Sequence, residues 1–404
     1  MTTATEPPEL PVASSNEPMS WEAVQLVARH AQHLQRGLET FSRHWLEAPQ
    51  ANAPPLVYSW VASRVHSQAN INTPPPQLPV CVLALWNGWL EHDASRFESA
   101  QSLFQQAWAT LQAESPDHWR YELADAALGL GRTHTRSGHW NTARAWLLCA
   151  LAIARRVGDE SLCVRGYGAL GELLLRAGHN SAGFTCLNMA YHLLSAGSGQ
   201  RARQLNYIGT ALGRLHERLR AESVLMTSFS MAADQGDIAS QLHALARLHF
   251  LALTSASSTE LAVALPNLAD ASIDQAPAVA RGYWCLARAR ARSQNGEAAQ
   301  VSESALALLD QAMQDFQTAN RPMEWCWAAL WHQHFTGNAQ PWHSARAAMT
   351  QQMSMPVVEA PQALGMLDHS FACLPIAQSN GFDRLLSLPD KLERLKALDQ
   401  LFFV

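Results

Sequence analysis

The feature that most constrains the fold is a pattern of small and large apolar residues that occurs twice between positions 127 and 178. In the first copy the residues are Leu130-Gly131, His134, Gly138, Ala143, Leu147 and Ala150. In the second copy the same offsets hold Leu170-Gly171, Leu174, Gly178, Gly183, Leu187 and Ala190. Facing small residues let two helices approach closely, and a large apolar side chain one turn away fills the remaining space. Because one hairpin cannot bury its own apolar face, the pattern predicts stacked helical hairpins.

The same spacing continues on both sides of these two copies. An earlier copy holds Gly88, Ala100, Phe104 and Ala107. We assign a later copy to Leu212-Gly213, His216, Leu225, Phe229 and Ala232. The glycines at 88, 131, 171 and 213 are then 43, 40 and 42 residues apart. This period predicts a repeat array and not a single compact core.

This pattern resembles the tetratricopeptide repeat (TPR), in which a Leu-Gly pair, an aromatic, a later alanine and a later aromatic define two antiparallel helices. The match covers roughly residues 80–236, and the period exceeds the usual 34 residues by six to nine. Position 183 is Gly and position 225 is Leu where the family has Ala. The resemblance implies an all-α fold, a right-handed superhelix or solenoid of TPR-like helix–turn–helix repeats. The closest likeness is to the long-repeat arrays of bacterial regulators and scaffolds.

The chain divides into five predicted segments. These are a disordered tail over 1–19, an N-terminal helical cap or subdomain over 20–78, well-matched repeats over 79–236, degenerate helical repeats over 237–355, and a C-terminal helical cap over 356–404. In the degenerate part we expect two hairpins, at about 278–318 and 321–352, the second turning near Gly337. A last helix is expected from Ser387, as a cap of the array; the alternative is that its apolar end, Leu-Phe-Phe-Val, docks on a partner.

Composition argues against several classes of protein. With 48% hydrophobic residues and a net charge of −5, the chain is typical of a folded protein that does not bind nucleic acid. It contains no apolar run of about 18 residues that would span a membrane. The first residues lack the basic and apolar regions of a signal peptide, and seven cysteines without paired spacing fit a reducing compartment. We therefore expect a cytoplasmic protein.

No set of residues has the spacing of an enzyme, cofactor or metal site. Gly166, Gly168 and Gly171 spell G-x-G-x-x-G, but the dinucleotide fingerprint needs a preceding strand, and the residues before it are strongly helical. The histidine pairs at 30/33 and 332/334 lack a carboxylate or thiolate at ligand spacing. The sequence therefore predicts a non-enzymatic protein with no catalytic residues, cofactor or metal.

Three tryptophans lie close together in one predicted helix. Trp327 and Trp331 share a face at i, i+4, with Trp325 beside them, which favours packing between hairpins. The alternative is an exposed aromatic anchor for a partner.

The resemblance implies one candidate binding site. In this family the first helix of each pair lines a concave groove, at positions one and four or five residues past the Leu-Gly glycine. In this chain the candidate residues are Trp89, Arg132, Arg136, Glu172, Arg176, Arg214, Glu217 and Arg218. Arginine binds carboxylates with a planar fork of donors, so the groove suits an acidic peptide or chain terminus. The alternative is that these charges pair with one another along solvated helix faces, each pair contributing a few tenths of a kcal/mol.

We therefore expect a protein that recognises a protein or peptide partner and acts as a scaffold, adaptor or chaperone. The alternative is a sensor-regulator whose repeat array binds a peptide or a small effector.

Overall fold

A computed structural model describes residues 80–114, 120–194, 200–253, 270–292 and 303–361, with single positions at 198, 268 and 395. Fourteen helices and no strands occur in these ranges. The helices are α1 (Val80–Asp93), α2 (Phe97–Glu114), α3 (Arg120–Arg136), α4 (Trp140–Val157), α5 (Glu160–Arg176), α6 (Asn180–Leu193), α7 (Gln200–Arg214), α8 (Arg218–Asp234), α9 (Ile238–Leu253), α10 (Asp270–Asp274), α11 (Ala278–Arg292), α12 (Glu303–Thr318), α13 (Pro322–Thr336) and α14 (Gln340–Met353). The tail predicted over 1–19, the cap predicted over 20–78 and the helix predicted from Ser387 lie outside the described residues.

The helices pack as a two-layered solenoid. Each helix from α1 to α9 contacts the next one along the chain, and α1, α3, α5, α7 and α9 also contact one another in succession. These first helices of the hairpins form an inner layer, and α2, α4, α6 and α8 form the outer layer. The all-α solenoid predicted from the repeat pattern is confirmed.

Close approach of the two helices in a hairpin explains the glycine at the start of each copy. A Cβ atom built on Gly171 would lie 2.6 Å from Cγ of Leu187 and 3.1 Å from the carbonyl oxygen of Gly183. Glycine at position 183, where the family has alanine, therefore allows the backbones of the two helices to approach closely. Seven residues past Gly171, Gly178 ends the hairpin's first helix with φ +83°, a conformation that favours glycine.

The predicted position of the fourth copy is wrong by one helical turn. Gly209, not Gly213, faces the second helix, because a Cβ atom there would lie 2.5 Å from Cγ of Leu225. The left-handed turn residue is His216, at φ 62°, again seven residues later. In this register Ala221 occupies the alanine position, so the departure at position 225 disappears. The two glycines are four residues apart and share a helix face, so spacing alone did not separate them.

Two glycines of α5 give opposite predictions for substitution by alanine. Gly171→Ala is expected to lower the free energy of unfolding by about 1–3 kcal/mol, because the new methyl group overlaps Leu187. Gly168→Ala is the matched control, because its Cβ atom would meet only a Gln204 side-chain oxygen at 3.4 Å. There the gain in helix propensity is expected to raise stability by about 0.5–1 kcal/mol. Urea denaturation of both variants tests this, and equal effects would contradict the proposed close approach.

The degenerate part of the array contains the two predicted hairpins. Helices α11 and α12 pack together, and α13 and α14 are joined through Gly337 in a left-handed conformation at φ 76°. Trp327 and Trp331 are each 0% exposed. They lie in a core shared with Phe250 of α9, so the core-packing interpretation is confirmed for both.

The far end of the described array returns to its beginning. The turn before α13 contacts the turn after α1, with Asn320 Nδ2 donating to the Ser95 carbonyl oxygen at 2.6 Å. After α14 the chain runs without regular structure along α2, α3 and α4. There Gln101 donates to the Pro356 carbonyl at 2.8 Å, and Trp146 Nε1 donates to the Val358 carbonyl at 2.6 Å. We call residues 352–358, which begin in the last turn of α14, the closing segment, since they join the two ends of the solenoid.

Candidate functional site

Closure of the solenoid produces a cavity on the inner layer. It encloses about 710 Å³, including the part open to solvent, and is lined by α3, α5, α7, α9, α11 and the start of α13. Its lining includes six arginines and two glutamates: Arg136, Arg176, Arg203, Arg214, Arg247, Arg321, Glu172 and Glu324. Leu175, Tyr207, Thr210, His243, Val279 and Tyr283 complete the lining. The charge of this lining is strongly positive.

Four of the eight residues named from the sequence meet in this cavity. Arg136 ends α3, Glu172 and Arg176 lie in the last turns of α5, and Arg214 ends α7. The three arginines occupy one position of the repeat, five residues past Gly131, Gly171 and Gly209. Their convergence follows from the repeat, because equivalent positions of stacked inner helices lie on one surface.

Three of the other four residues lie away from the cavity. Trp89 is 3% exposed, and its indole N–H donates to the Asp125 carboxylate at 2.8 Å. Glu217 and Arg218 lie at the start of the outer helix α8, where Glu217 pairs with Arg220 on the exposed surface. Neither residue lines the cavity, because the prediction counted from Gly213; counted from Gly209, the groove positions are Thr210 and Arg214.

Arg132 lies between the cavity and the first repeat. Its guanidinium carbon is 6.0 Å from the centre of the Trp89 ring. Burial, together with the charge of Arg203, lowers its pKa to about 10. Arg132 therefore adds to the positive potential of the cavity without being among the lining residues.

Sequence reasoning missed the lining residues of α7, α9, α11 and α13. On α7 these are Arg203, Tyr207 and Thr210, which together with the predicted Arg214 recur at intervals of four, three and four residues. This stripe of polar side chains lies on a helix that is otherwise largely buried. Once the bounds of the helix are known, such a stripe can be recognised in the sequence, and it is the signal that could have identified these lining residues.

One part of the cavity is an ion-pair network that joins three inner helices. Glu172 lies 2.9 Å from Arg136 and 3.4 Å from Arg176. Arg176 also lies 3.7 Å from Glu324, which accepts a hydrogen bond from the Tyr283 hydroxyl at 3.0 Å. We call Arg136, Glu172, Arg176 and Glu324 the ion-pair network. It ties α3 and α5 to α13, on the opposite side of the closed array.

The arginines keep both glutamates of this network ionised. Burial by itself would raise the pKa of Glu172, but Arg136, Arg176 and Arg132 together hold it far below its ordinary value. The pKa of Glu324 is lowered in the same way, because Arg176, Arg321 and Arg136 outweigh the effect of burial. The negative charges of the cavity are thus already paired at neutral pH.

The other part is a group of arginines on α7 and α9. Arg247 Nε donates to Thr210 Oγ1 at 2.5 Å, and its Nη1 donates to the His243 carbonyl at 3.2 Å. Arg203 donates to the Tyr207 hydroxyl, and Arg214 donates to the Leu175 carbonyl. We call Arg203, Arg214 and Arg247 the arginine cluster. Within the ranges that the structure covers, no carboxylate forms an ion pair with Arg203 or Arg247.

Positive charges crowd one another in this cluster. Burial, with the charges of Arg176 and Arg247, lowers the pKa of Arg214 to about 9. Burial also lowers the pKa of Arg247, and burial with the neighbouring arginines holds the pKa of His243 well below its usual value. The cavity thus offers several guanidinium donors and a positive potential to an incoming anion.

The described residues show no metal-binding group of three or more histidine, cysteine or acidic side chains. The six cysteines in the described ranges are buried, and burial raises the thiol pKa of Cys149 and Cys285 to about 12. None of the helices that the structure describes is both long and apolar enough to cross a membrane.

The helical hairpins stack in an inner and an outer layer and turn through left-handed residues. These features define a TPR-like helical repeat fold. In sequence, the chain matches no model of a known protein family and no curated protein. Among solved structures it is similar to a Rap protein crystallised with competence and sporulation factor, with a TM-score of 0.50 and 12% sequence identity. The likeness covers 82% of this chain and 93% of that one, and at this identity it concerns the fold alone.

Proposed function

We propose that this protein is a non-enzymatic recognition protein that binds an acidic peptide segment in the cavity of its closed solenoid, as a scaffold, adaptor or chaperone. The observation that carries the proposal is the lining of six arginines against two glutamates. Charges removed from water are costly unless they are compensated, so a cavity with surplus guanidinium groups favours an anionic ligand.

A peptide suits both the fold and the lining. Arginine forks bind the carboxylates of acidic side chains in bidentate geometry, and Tyr207, Tyr283 and Leu175 offer apolar surface between them. The Rap protein with the similar fold holds competence and sporulation factor in its crystal structure. This supports peptide binding by a helical repeat array with this type of fold.

Titration of the full chain with a fluorescein-labelled peptide of glutamate and alanine tests the proposal, and fluorescence anisotropy reports binding. A lysine and alanine peptide of equal length is the control for charge. The acidic peptide is expected to bind, and to bind about tenfold more weakly after a large increase in salt, because screening weakens the attraction. Equal binding of both peptides, or binding of neither, would contradict the proposal.

The closing segment favours a second candidate, a sensor-regulator in which the ligand changes the shape of the array. The backbone carbonyl of Arg136 accepts a hydrogen bond from Gln352 at 2.9 Å, while its side chain pairs with Glu172 in the cavity. Arg321 lines the cavity and also lies over the Phe97 ring at 5.5 Å. Ligand contacts with Arg136 and Arg321 would therefore affect the contacts that close the solenoid. Hydrogen exchange over residues 352–358 separates the two candidates, because only a sensor-regulator requires it to change when the peptide binds.

A further inference from the structure

The cavity divides its positive charges between two groups with different surroundings. In the ion-pair network, Arg136 and Arg176 lie within 4 Å of glutamate oxygens. In the arginine cluster, Arg247 donates to the Thr210 hydroxyl and the His243 carbonyl, and Arg203 donates to the Tyr207 hydroxyl. The two groups therefore differ in what an incoming anion would gain from them.

An anion gains little at the ion-pair network. Glu172 and Glu324 already occupy the positions beside Arg136 and Arg176, and both glutamates are well shielded from bulk water, with side chains 12% and 4% exposed. A ligand carboxylate there would have to displace a buried carboxylate or lie beside it, and like charges at such distances repel. The network is better suited to holding α3, α5 and α13 together.

An anion gains more at the arginine cluster. Arg247 uses Nε and Nη1 within the protein, which leaves the donors of its Nη2 atom for a ligand. Arg203, on the preceding inner helix, is exposed to the cavity and lies close enough to Arg247 for their charges to interact. When two guanidinium groups bind one anion between them, the attraction of each group to the anion offsets their mutual repulsion.

We propose, on the basis of the function proposed above, that Arg203 and Arg247 form the anion-binding subsite for acidic side chains of the peptide, whereas Arg136 and Arg176 with their glutamates hold the closed array together. The subsite thus determines specificity for acidic ligands. It is formed by α7 and α9, where the inner layer passes from the well-matched repeats to the degenerate ones.

The test compares arginine-to-glutamine variants of the full chain, with the glutamate and alanine peptide as the probe. Arg203→Gln and Arg247→Gln are each expected to weaken binding at least tenfold while leaving the melting temperature at or above that of the wild type. Arg203→Lys, which keeps the charge but loses the fork, is expected to weaken binding less than Arg203→Gln. Arg176→Gln is expected to lower the melting temperature, because it leaves two buried glutamates with fewer partners. Arg220→Gln, at an exposed position away from the cavity, is the matched control and should change neither quantity.

The outcomes separate the subsite from the proposed function. Wild-type affinity in Arg203→Gln and Arg247→Gln, or a large loss of melting temperature in Arg203→Gln, would overturn the subsite while peptide binding stands. Titration with succinate and inorganic phosphate forms a second arm. If these small anions bind as tightly as the peptide, and lose affinity in the same variants, the subsite stands and the peptide function falls.

Discussion

Replacing Glu172 by glutamine is expected to lower the free energy of unfolding by about 3–5 kcal/mol at neutral pH. The Glu172 side chain is 12% exposed and lies between the guanidinium groups of Arg136 and Arg176. Glutamine keeps the shape but removes the charge, so two arginines would remain close together in a shielded cavity. Breaking such a pair from one side leaves an uncompensated charge, which costs more than the intact pair contributes. Urea denaturation followed by circular dichroism measures the loss.

Glu217→Gln is the matched control for this substitution. Glu217 also pairs with an arginine, Arg220, but the two side chains are 38% and 66% exposed. Exposed pairs contribute at most about 1 kcal/mol, so the control should be close to the wild type. A loss of the same small size in Glu172→Gln would show that the ion-pair network does not hold the inner helices together.

The same variant relates stability to binding. With Glu172 neutralised, the cavity carries one negative charge fewer, so the positive potential at the arginine cluster increases. The folded fraction of Glu172→Gln is therefore expected to bind the acidic peptide more tightly than the wild type does. Stability and ligand affinity would change in opposite directions, as in sites whose function conflicts with folding.

The repeat pattern predicted the architecture because its signal is local and recurs at fixed offsets. Small residues at Gly131 and Gly171 and large ones at Leu147 and Leu187 are imposed by the packing of one hairpin. Where two candidates shared a helix face, as with Gly209 and Gly213, the same local rule allowed two registers. Because of that one-turn error, Glu217 and Arg218 were predicted to line the groove instead of Thr210.

The cavity itself was not predictable from these offsets. Glu324 meets Arg176 only because the solenoid closes, and the two residues belong to helices far apart in sequence. Arg203, Arg247 and Arg321 lie outside the offsets that the family pattern marks, and the last two belong to the degenerate repeats. The curvature of an array is a sum of small rotations between repeats, which a spacing pattern does not record. The sequence therefore identified the inner surface of three helices, whereas its closure into a cavity required the tertiary structure.

Acidification from pH 6.5 to about 4 is expected to lower the free energy of unfolding by several kcal/mol, because two shielded histidines resist protonation in the folded chain. His134 is 0% exposed, and neither ring nitrogen has a hydrogen-bond partner in the described structure. Burial, with a smaller effect of His139, lowers the pKa of His134 to about 4. Burial and the nearby Arg288 lower the pKa of His249 to about 4 as well. Between these values and the ordinary 6.5 the unfolded chain binds more protons, so stability is full above pH 6.5 and is lost as the pH falls, by about 3 kcal/mol for each histidine.

The variant His134→Leu isolates the contribution of His134 to the loss of stability at acidic pH. Leucine removes the titrating group and a buried polar ring, so the variant is expected to lose about 2 kcal/mol less than the wild type between about pH 7 and about pH 5. Urea denaturation at both pH values measures the difference, and His343→Leu, at an exposed position, is the control that should leave it unchanged. An undiminished loss in His134→Leu would show that this histidine takes up no proton on unfolding.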